Sequence, residues 1–264
     1  KPGKTTAGEY TFSVGTAGSA TLVLQTVLPA LLTASQPSIL TLEGGTHIPY
    51  APPYDFLERA FLPLISRMGP KLEAKLDRYG FYPAGGGRFS VRIEPVAKLT
   101  AYDLRERGAI QTRKAHAIVS ALPAEVGERE LKIVKQRLTW EDSYCGVVEV
   151  SNSRGPGNAL TIELACEHVT ELFTGFGERG VRAEKVAEET VREVRRYLAA
   201  DAHVGEYLTD QLLVPMALAG SGSFVSVGLS RHATTNIEVI EKFLDVEISV
   251  KEQRKGAWLV EVNG

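Results

Sequence analysis

Two segments of the chain repeat one another, and this internal repeat restricts the folds that the sequence can adopt. The helical patterns LVLQTVLPALL (22–32) and LTDQLLVPMAL (208–218) both contain Gln-x-x-x-Pro, and the two glutamines are 186 residues apart. Each pattern is followed by a short strand pattern, a loop that contains a histidine, a second helical pattern and two more strand patterns. Because the same order recurs with shared letters, we predict two copies of one supersecondary unit.

A further strand pattern, EYTFSV (9–14), precedes the first copy and completes it as a βαβαββ unit. Strands and helices that alternate in this way pack as layers, so the predicted fold class is α/β (α+β), with βαβαββ repeats forming the main body. The segment between the copies, 105–203, is richer in charge and has helical and strand patterns of its own. We therefore predict a body formed by 1–104 and 204–264, with 105–203 inserted as a smaller α/β domain.

Composition and charge limit the functional classes. Hydrophobic residues make up 44% of the chain, which is enough for a globular core, and the longest apolar run is too short and too polar for a membrane span. The segment KPGKTTAGEY lacks the apolar core of a signal peptide, and the two cysteines form no CxxC pair, so we predict a reduced, cytoplasmic protein. With a net charge of −2, binding to a nucleic acid would depend on a local patch.

One candidate for chemistry is His232, in SRHATTNIEVIEKFL (230–244). The letters predict a helix that begins with Thr235 as N-cap and Glu238 three residues later, which places His232 in the loop just before it. The free N–H groups of a helix N-terminus hold phosphate well, and an imidazole nitrogen beside a phosphate can act as a nucleophile. A plain turn residue is the alternative. His47, in the loop of the first copy, occupies a similar position, so position alone does not identify a nucleophile.

Three other segments carry candidate binding groups. The glycine-rich turn in VGTAGSATLVLQ (14–25) either holds a phosphate or only makes a tight turn, and AGGGR (84–88) is ambiguous in the same way. In EYLTDQ, Tyr207 offers a flat face on which a base can stack, and Asp210 and Gln211 offer polar groups. The alternative is that Tyr207 is a core residue and Asp210 an ordinary residue of a first helical turn.

Taken together, these pieces resemble the RNA 3′-terminal phosphate cyclase family over nearly the whole chain. The resemblance depends on GTAGSATLVLQTVLPAL, GGTHIPYAPPYDF, YGFYPAGGGR, GPGN, VGEYLTDQLLVPMALAGSG and RHATTNIEVIEKFL, in this order. It implies a body of βαβαββ repeats with a smaller inserted α/β domain. It also implies ATP-dependent conversion of an RNA 3′-phosphate into a 2′,3′-cyclic phosphodiester.

The resemblance further implies roles for individual residues. His232 matches the family's nucleophile, which is adenylylated by ATP and passes AMP to the RNA 3′-phosphate, with a divalent ion, Mg²⁺ or Mn²⁺, neutralising the departing pyrophosphate. The positions that match the family's ATP-binding residues are Gln25, Pro53, Phe56, Tyr207, Leu208, Thr209, Asp210 and Gln211. The alternative is a non-catalytic, cyclase-like factor of ribosome biogenesis, which would lack the nucleophile.

The sequence departs from the family pattern in two places. Family members normally begin with one more repeat, which contains a GEGGG segment, so the resemblance leads us to expect three repeats where this sequence shows two. Tyr79 stands where the family usually has a histidine or an arginine.

Overall fold

The computed structural model describes residues 3–264, and within them it contains six helices and three four-stranded sheets. The helices are α1 (Ala20–Leu31), α2 (54–66), α3 (Glu125–Leu138), α4 (Ala183–Ala200), α5 (Glu206–Ala219) and α6 (Arg231–Phe243). The strands are β1 (Glu9–Ser13), β2 (Ser38–Gly44), β3 (Lys71–Arg78), β4 (Gly87–Glu94), β5 (Tyr102–Asp103), β6 (Ile110–Ser120), β7 (Cys145–Glu149), β8 (Gly157–Cys166), β9 (Thr170–Phe176), β10 (Ser221–Ser226), β11 (Glu247–Arg254) and β12 (Ala257–Asn263). This architecture confirms the predicted α/β class.

The two sheets of the repeat body have the same topology. The first has the strand order β1-β2-β4-β3 and the second β5-β10-β12-β11. In each sheet the first two strands are parallel and the other neighbours are antiparallel. The second unit is therefore also βαβαββ. Its first strand, β5, is separated from its first helix, α5, by the segment that contains the third sheet.

The third sheet, β7-β6-β8-β9, is covered by α3 and α4. One hydrophobic core forms between this sheet and the two helices, and it extends to Val225, Val227, Ala257 and Leu259 of the second repeat unit. A larger core joins the two repeat units. The division into a body and an inserted domain at 104/105 and 203/204 stays a prediction.

Helix α2 contains a π-helical turn. Leu57–Phe61 forms this turn between α-helical turns at Tyr54–Phe56 and Leu62–Ser66. A π-helical turn inserts one extra residue into an α-helix and is frequent at functional sites. None of the helices found between residues 3 and 264 is long and apolar enough to cross a membrane.

Candidate active site

An open cleft lies between α5 and α6. Its volume is about 380 Å³, and it is lined by Asp210, His232, Thr235, Asn236 and Val239. The Asn236 side-chain amide donates hydrogen bonds to the Asp210 carboxylate at 3.1 Å and to the Asp210 carbonyl at 3.4 Å. This contact holds the two helices together at the base of the cleft. Asn236 was not among the predicted site residues, although it stands four residues after His232, where side chains share a helix face.

Helix α6 begins earlier than predicted. Ser230 is the N-cap, and its hydroxyl accepts a hydrogen bond from the Ala233 N–H at 3.0 Å. The predicted start at Thr235, with Glu238 completing a capping box, is therefore wrong: both residues lie within the helix, because Ser230 caps equally well and nothing in Arg-His-Ala-Thr opposes a helical turn. His232 is exposed in the first turn of α6 rather than in a loop.

The helical spacing of Ile237, Ile240, Phe243 and Leu244 predicts a buried stripe, and the end of α6 differs from this prediction. Ile240 is buried, but Phe243 is 83% exposed. The shift of the helix start does not change which positions share a face, since that spacing depends only on the helical period. The prediction that Phe243 is buried is therefore wrong, although the residue is apolar and follows the helical spacing.

His47, the other candidate nucleophile, is buried among polar partners. Its Nδ1 lies 2.9 Å from the Thr46 hydroxyl and its Nε2 lies 2.6 Å from the Asp55 carboxylate, so both ring nitrogens are engaged. Only 1% of His47 is exposed. Burial alone would raise the pKa of Asp55, but the hydrogen bond from His47 and the charges of His47 and Arg59 hold that pKa below its usual value. His47 therefore braces the loop before α2, and His232 is the histidine that is open to a ligand.

The first turns of α5 present Tyr207 and Asp210. Tyr207 is 62% exposed, so it is not a core residue, and Asp210 lines the cleft. Leu208 and Thr209 are fully buried. The Thr209 hydroxyl donates to the Gly205 carbonyl at 2.8 Å and is 2.6 Å from the hydroxyl of Ser226 on β10. The side chains of Leu208 and Thr209 thus anchor the helix, and their predicted role in ATP binding, which stays a prediction, would involve their backbone.

The repeated glutamines meet in the structure. The Gln25 side-chain amide donates a hydrogen bond to the side-chain oxygen of Gln211. Equivalent residues of two copies contact each other only near the axis that relates the copies, so this pair marks the junction between the units. Pro29 and Pro215 lie within α1 and α5, four residues after each glutamine. Since proline has no N–H, the carbonyl groups of Gln25 and Gln211 lack their usual helical donor.

Pro53 and Phe56 lie at the start of α2. Both are buried, and Phe56 belongs to the large core that joins the repeat units. The π-helical turn that follows Phe56 packs against α5, which brings the start of α2 near the helix that carries Tyr207. The residues that line the cleft do not include Pro53 or Phe56, and their predicted contact with adenine stays a prediction.

Comparison with known proteins identifies the family. Residues 1–250 match the family model described as RNA 3′-terminal phosphate cyclase. This chain belongs to that family.

Curated members of the cyclase family cover nearly all of the chain. The RNA 3′-terminal phosphate cyclase of Koribacter versatilis (strain Ellin345) is 50% identical over 256 residues, which are 97% of this chain and 72% of the relative. That of Ectopseudomonas mendocina (strain ymp) is 49% identical over 247 residues, 94% of this chain and 72% of the relative. That of Ralstonia nicotianae (strain ATCC BAA-1114 / GMI1000) is 50% identical over an alignment of 268 positions, which covers 99% of this chain and 76% of the relative.

The glycine-rich loops of this cyclase-family chain pack backbone against backbone. The Gly45 N–H donates to the Gly18 carbonyl at 2.8 Å, and a Cβ added at Gly45 would lie 2.6 Å from the Ala17 carbonyl oxygen. Gly85 and Gly86 have φ of +60° and +70°, which favour glycine, and a Cβ at Gly85 would lie 2.5 Å from the carbonyl oxygen of residue 16. Close loop packing and positive φ thus account for Gly45, Gly85 and Gly86, and whether the turns in 14–25 and 84–88 also hold a phosphate stays a prediction.

The cleft does not contain a complete set of metal ligands from the protein. Among residues 3–264, no group of three or more His, Cys, Asp and Glu side chains is placed so that it could hold a metal ion. Asp210 is the one carboxylate among the residues that line the cleft. Asp210 alone does not make a protein-held metal site, and the divalent ion that the resemblance implies beside the departing pyrophosphate stays a prediction.

Proposed function

We propose that this chain uses ATP to convert the 3′-terminal phosphate of an RNA into a 2′,3′-cyclic phosphodiester, with His232 as the nucleophile. The observation that carries the proposal is the position of His232, exposed in the first turn of α6 and facing a cleft shared with α5. The free N–H groups of a helix N-terminus favour phosphate groups. The names of the matched relatives support the same reaction.

The proposed reaction has three transfers. A lone pair of a His232 ring nitrogen attacks the α-phosphorus of ATP; the N–P bond forms, the bond to the bridging oxygen breaks, and pyrophosphate leaves. An oxygen of the RNA 3′-phosphate then attacks the same phosphorus, which breaks the N–P bond and forms an RNA-adenylate. The neighbouring 2′-hydroxyl oxygen attacks the RNA phosphorus, loses its proton and displaces AMP. Proximity favours this last, intramolecular step.

The other predicted site residues would bind and orient ATP. Tyr207 offers an exposed ring on which adenine can stack. Gln25 and Gln211 offer side-chain amides and carbonyl groups with no helical donor, where the repeat units meet. Asn236 fixes the Asp210 carboxylate beside His232, which gives the cleft one defined acceptor.

The alternative of a non-catalytic, cyclase-like factor is not favoured. The matched relatives are named as cyclases, and the residue that matches the family's nucleophile is a histidine. We also infer a cytoplasmic location, because the two cysteines, Cys145 and Cys166, are free.

Labelling with α-³²P-ATP in the presence of Mg²⁺ or Mn²⁺ tests the nucleophile. We expect the chain to retain a label that is acid-labile and base-stable, as for a phosphoramidate, and His232→Ala to abolish it. His168→Ala is the matched control, since His168 is a partly exposed histidine that does not line the cleft. The cyclase of Koribacter versatilis is the positive control. A labelled relative with an unlabelled chain, or an equally labelled His232→Ala variant, contradicts the proposal.

A further inference from the structure

Two neighbouring strands of the third sheet carry buried glutamates that contact α2 and the start of α5, the helices with predicted nucleotide-binding residues. In the β8–β9 pair, Glu163 is opposite Leu172, and Leu164 is opposite Glu171. Residues opposite each other share a face and successive residues alternate, so Glu163 and Glu171 point to opposite faces of the sheet. The first points towards α2 and the second towards the start of α5, as the following contacts show.

Glu171 holds the N-terminus of α5. Its Oε2 accepts a hydrogen bond from the N–H of Gly205, the N-cap residue, at 2.7 Å, and Glu171 is only 2% exposed. A carboxyl oxygen accepts this bond whether or not the group is ionised. A Cβ added at Gly205 would lie 3.0 Å from the carboxyl carbon of Glu171, so the two groups are in close contact. Tyr207 is two residues further along the chain.

Glu163 holds α2 through Arg59. Its Oε2 accepts a hydrogen bond from Nη1 of Arg59 at 3.1 Å, and Nη2 of the same guanidinium is 3.1 Å from the Asp55 carboxylate. Asp55 in turn contacts His47 at 2.6 Å. A continuous series of polar contacts therefore runs from the third sheet to the loop that precedes α2. Arg59 lies in the π-helical turn, which packs against β9.

We propose that Glu163 and Glu171 are positioning residues for the nucleotide site, and that the segment around β8 and β9 serves to hold α2 and α5 in the geometry that ATP binding needs. This inference rests on the proposed function for its choice of ligand. Buried partners that orient the groups of a site are needed because a site misplaced by about 1 Å loses much of its activity. Neither glutamate touches the cleft itself.

ATP affinity of the intact chain is the first test. We expect Glu171→Ala and Glu163→Ala to raise the Kd for ATP about tenfold or more, the order seen when supporting partners of a site are removed. Glu171→Gln keeps an acceptor for the Gly205 N–H and should stay within about threefold of the parent chain. Glu130→Ala is the matched control, since Glu130 is a fully buried glutamate of α3 whose hydrogen bond goes to Asn158 rather than to α2 or α5.

Hydrogen exchange gives a second measurement that needs no ligand. Glu171→Ala should speed exchange of the amides in the first turn of α5, while the amides of α1 serve as an internal reference. If the parent chain binds no ATP, the proposed function fails and the positioning role fails with it; if the parent chain binds ATP but Glu171→Ala and Glu163→Ala leave the Kd unchanged, only the positioning role fails. The inference is overturned if Glu171→Ala leaves the exchange of α5 unchanged, or if Glu130→Ala raises the Kd and speeds that exchange as much as Glu171→Ala does.

Discussion

Replacement of Glu130 by glutamine should remove a pH dependence from the stability of this protein. Glu130 is a fully buried residue of α3. Within the described residues only one of its carboxyl oxygens is paired, at 3.0 Å with the Asn158 side-chain amide. Burial raises the pKa of Glu130 from 4.5 to about 7, and the hydrogen bond from Asn158 offsets only part of that rise. Asn158 Oδ1 is also without a partner there, so a neutral carboxyl suits the site better than a carboxylate.

The direction in which pH changes the free energy of unfolding depends on which state, folded or unfolded, binds the Glu130 proton more tightly. The folded protein holds the proton more tightly, so the contribution of Glu130 to stability is fully present below pH 4.5 and is lost as the pH rises to 7 and above. At about 1.4 kcal/mol for each pH unit, the loss is about 3 kcal/mol. Glutamine is neutral throughout. The free energy of unfolding of the parent chain should therefore fall relative to Glu130→Gln by about 3 kcal/mol between pH 4.5 and 8.

Urea denaturation of both proteins at several pH values measures this difference. The other titrating groups contribute equally to the free energy of unfolding of both proteins, so their contributions cancel in the difference. One of them is Glu171, and burial raises its pKa to about 8. A difference in unfolding free energy that stays constant across the pH range would refute the reasoning. A difference that changed in the opposite direction would mean that the carboxylate has a partner which stabilises its charge.

Three further predictions concern stability. Ser230→Ala removes the N-cap of α6 and should lower the free energy of unfolding, measured by urea denaturation, by about 1 kcal/mol. Thr235→Ala, at the N-cap expected from sequence, should change it by less than about 0.5 kcal/mol. Equal effects of the two substitutions would contradict the observed helix start. Thr209→Val keeps the side-chain shape but removes two buried hydrogen bonds and should lower stability by about 1–3 kcal/mol, so an unchanged thermal midpoint would count against this account. Gly157→Ala would place Cβ 1.9 Å from the buried ring of Phe81 and should cost about 1–3 kcal/mol, which an unchanged urea midpoint would disprove.

Much of the fold was predictable because periodicity is a local property. The Gln-x-x-x-Pro repeat led to two βαβαββ units, and the sheet orders confirm it. Two strands were missed for identifiable reasons. Strand β5 has two residues, too few to show a period, and β9 has the buried Glu171 among its apolar letters. A buried carboxyl is recognised only when its partner, here the Gly205 N–H, is known.

The candidate site was predictable in part. Family motifs indicated His232, and the structure places it with Asp210 on one cleft. The predicted start of α6 was wrong because serine and threonine both favour the N-cap position, so the letters alone do not decide between Ser230 and Thr235. Asn236 was missed since its role depends on α5, which is distant in sequence.

By itself, the sequence determined the repeat, most of the strands and helices, and membership of the cyclase family, because these depend on short-range patterns and on motifs in a set order. Only the tertiary structure decided that His47 is buried against Asp55 while His232 is open, that Gln25 meets Gln211, and that glutamates of the third sheet hold α2 and α5. Burial and pairing arise from contacts between segments far apart in the chain, and the spacing of residues along the sequence does not show which of these segments lie close together in the fold.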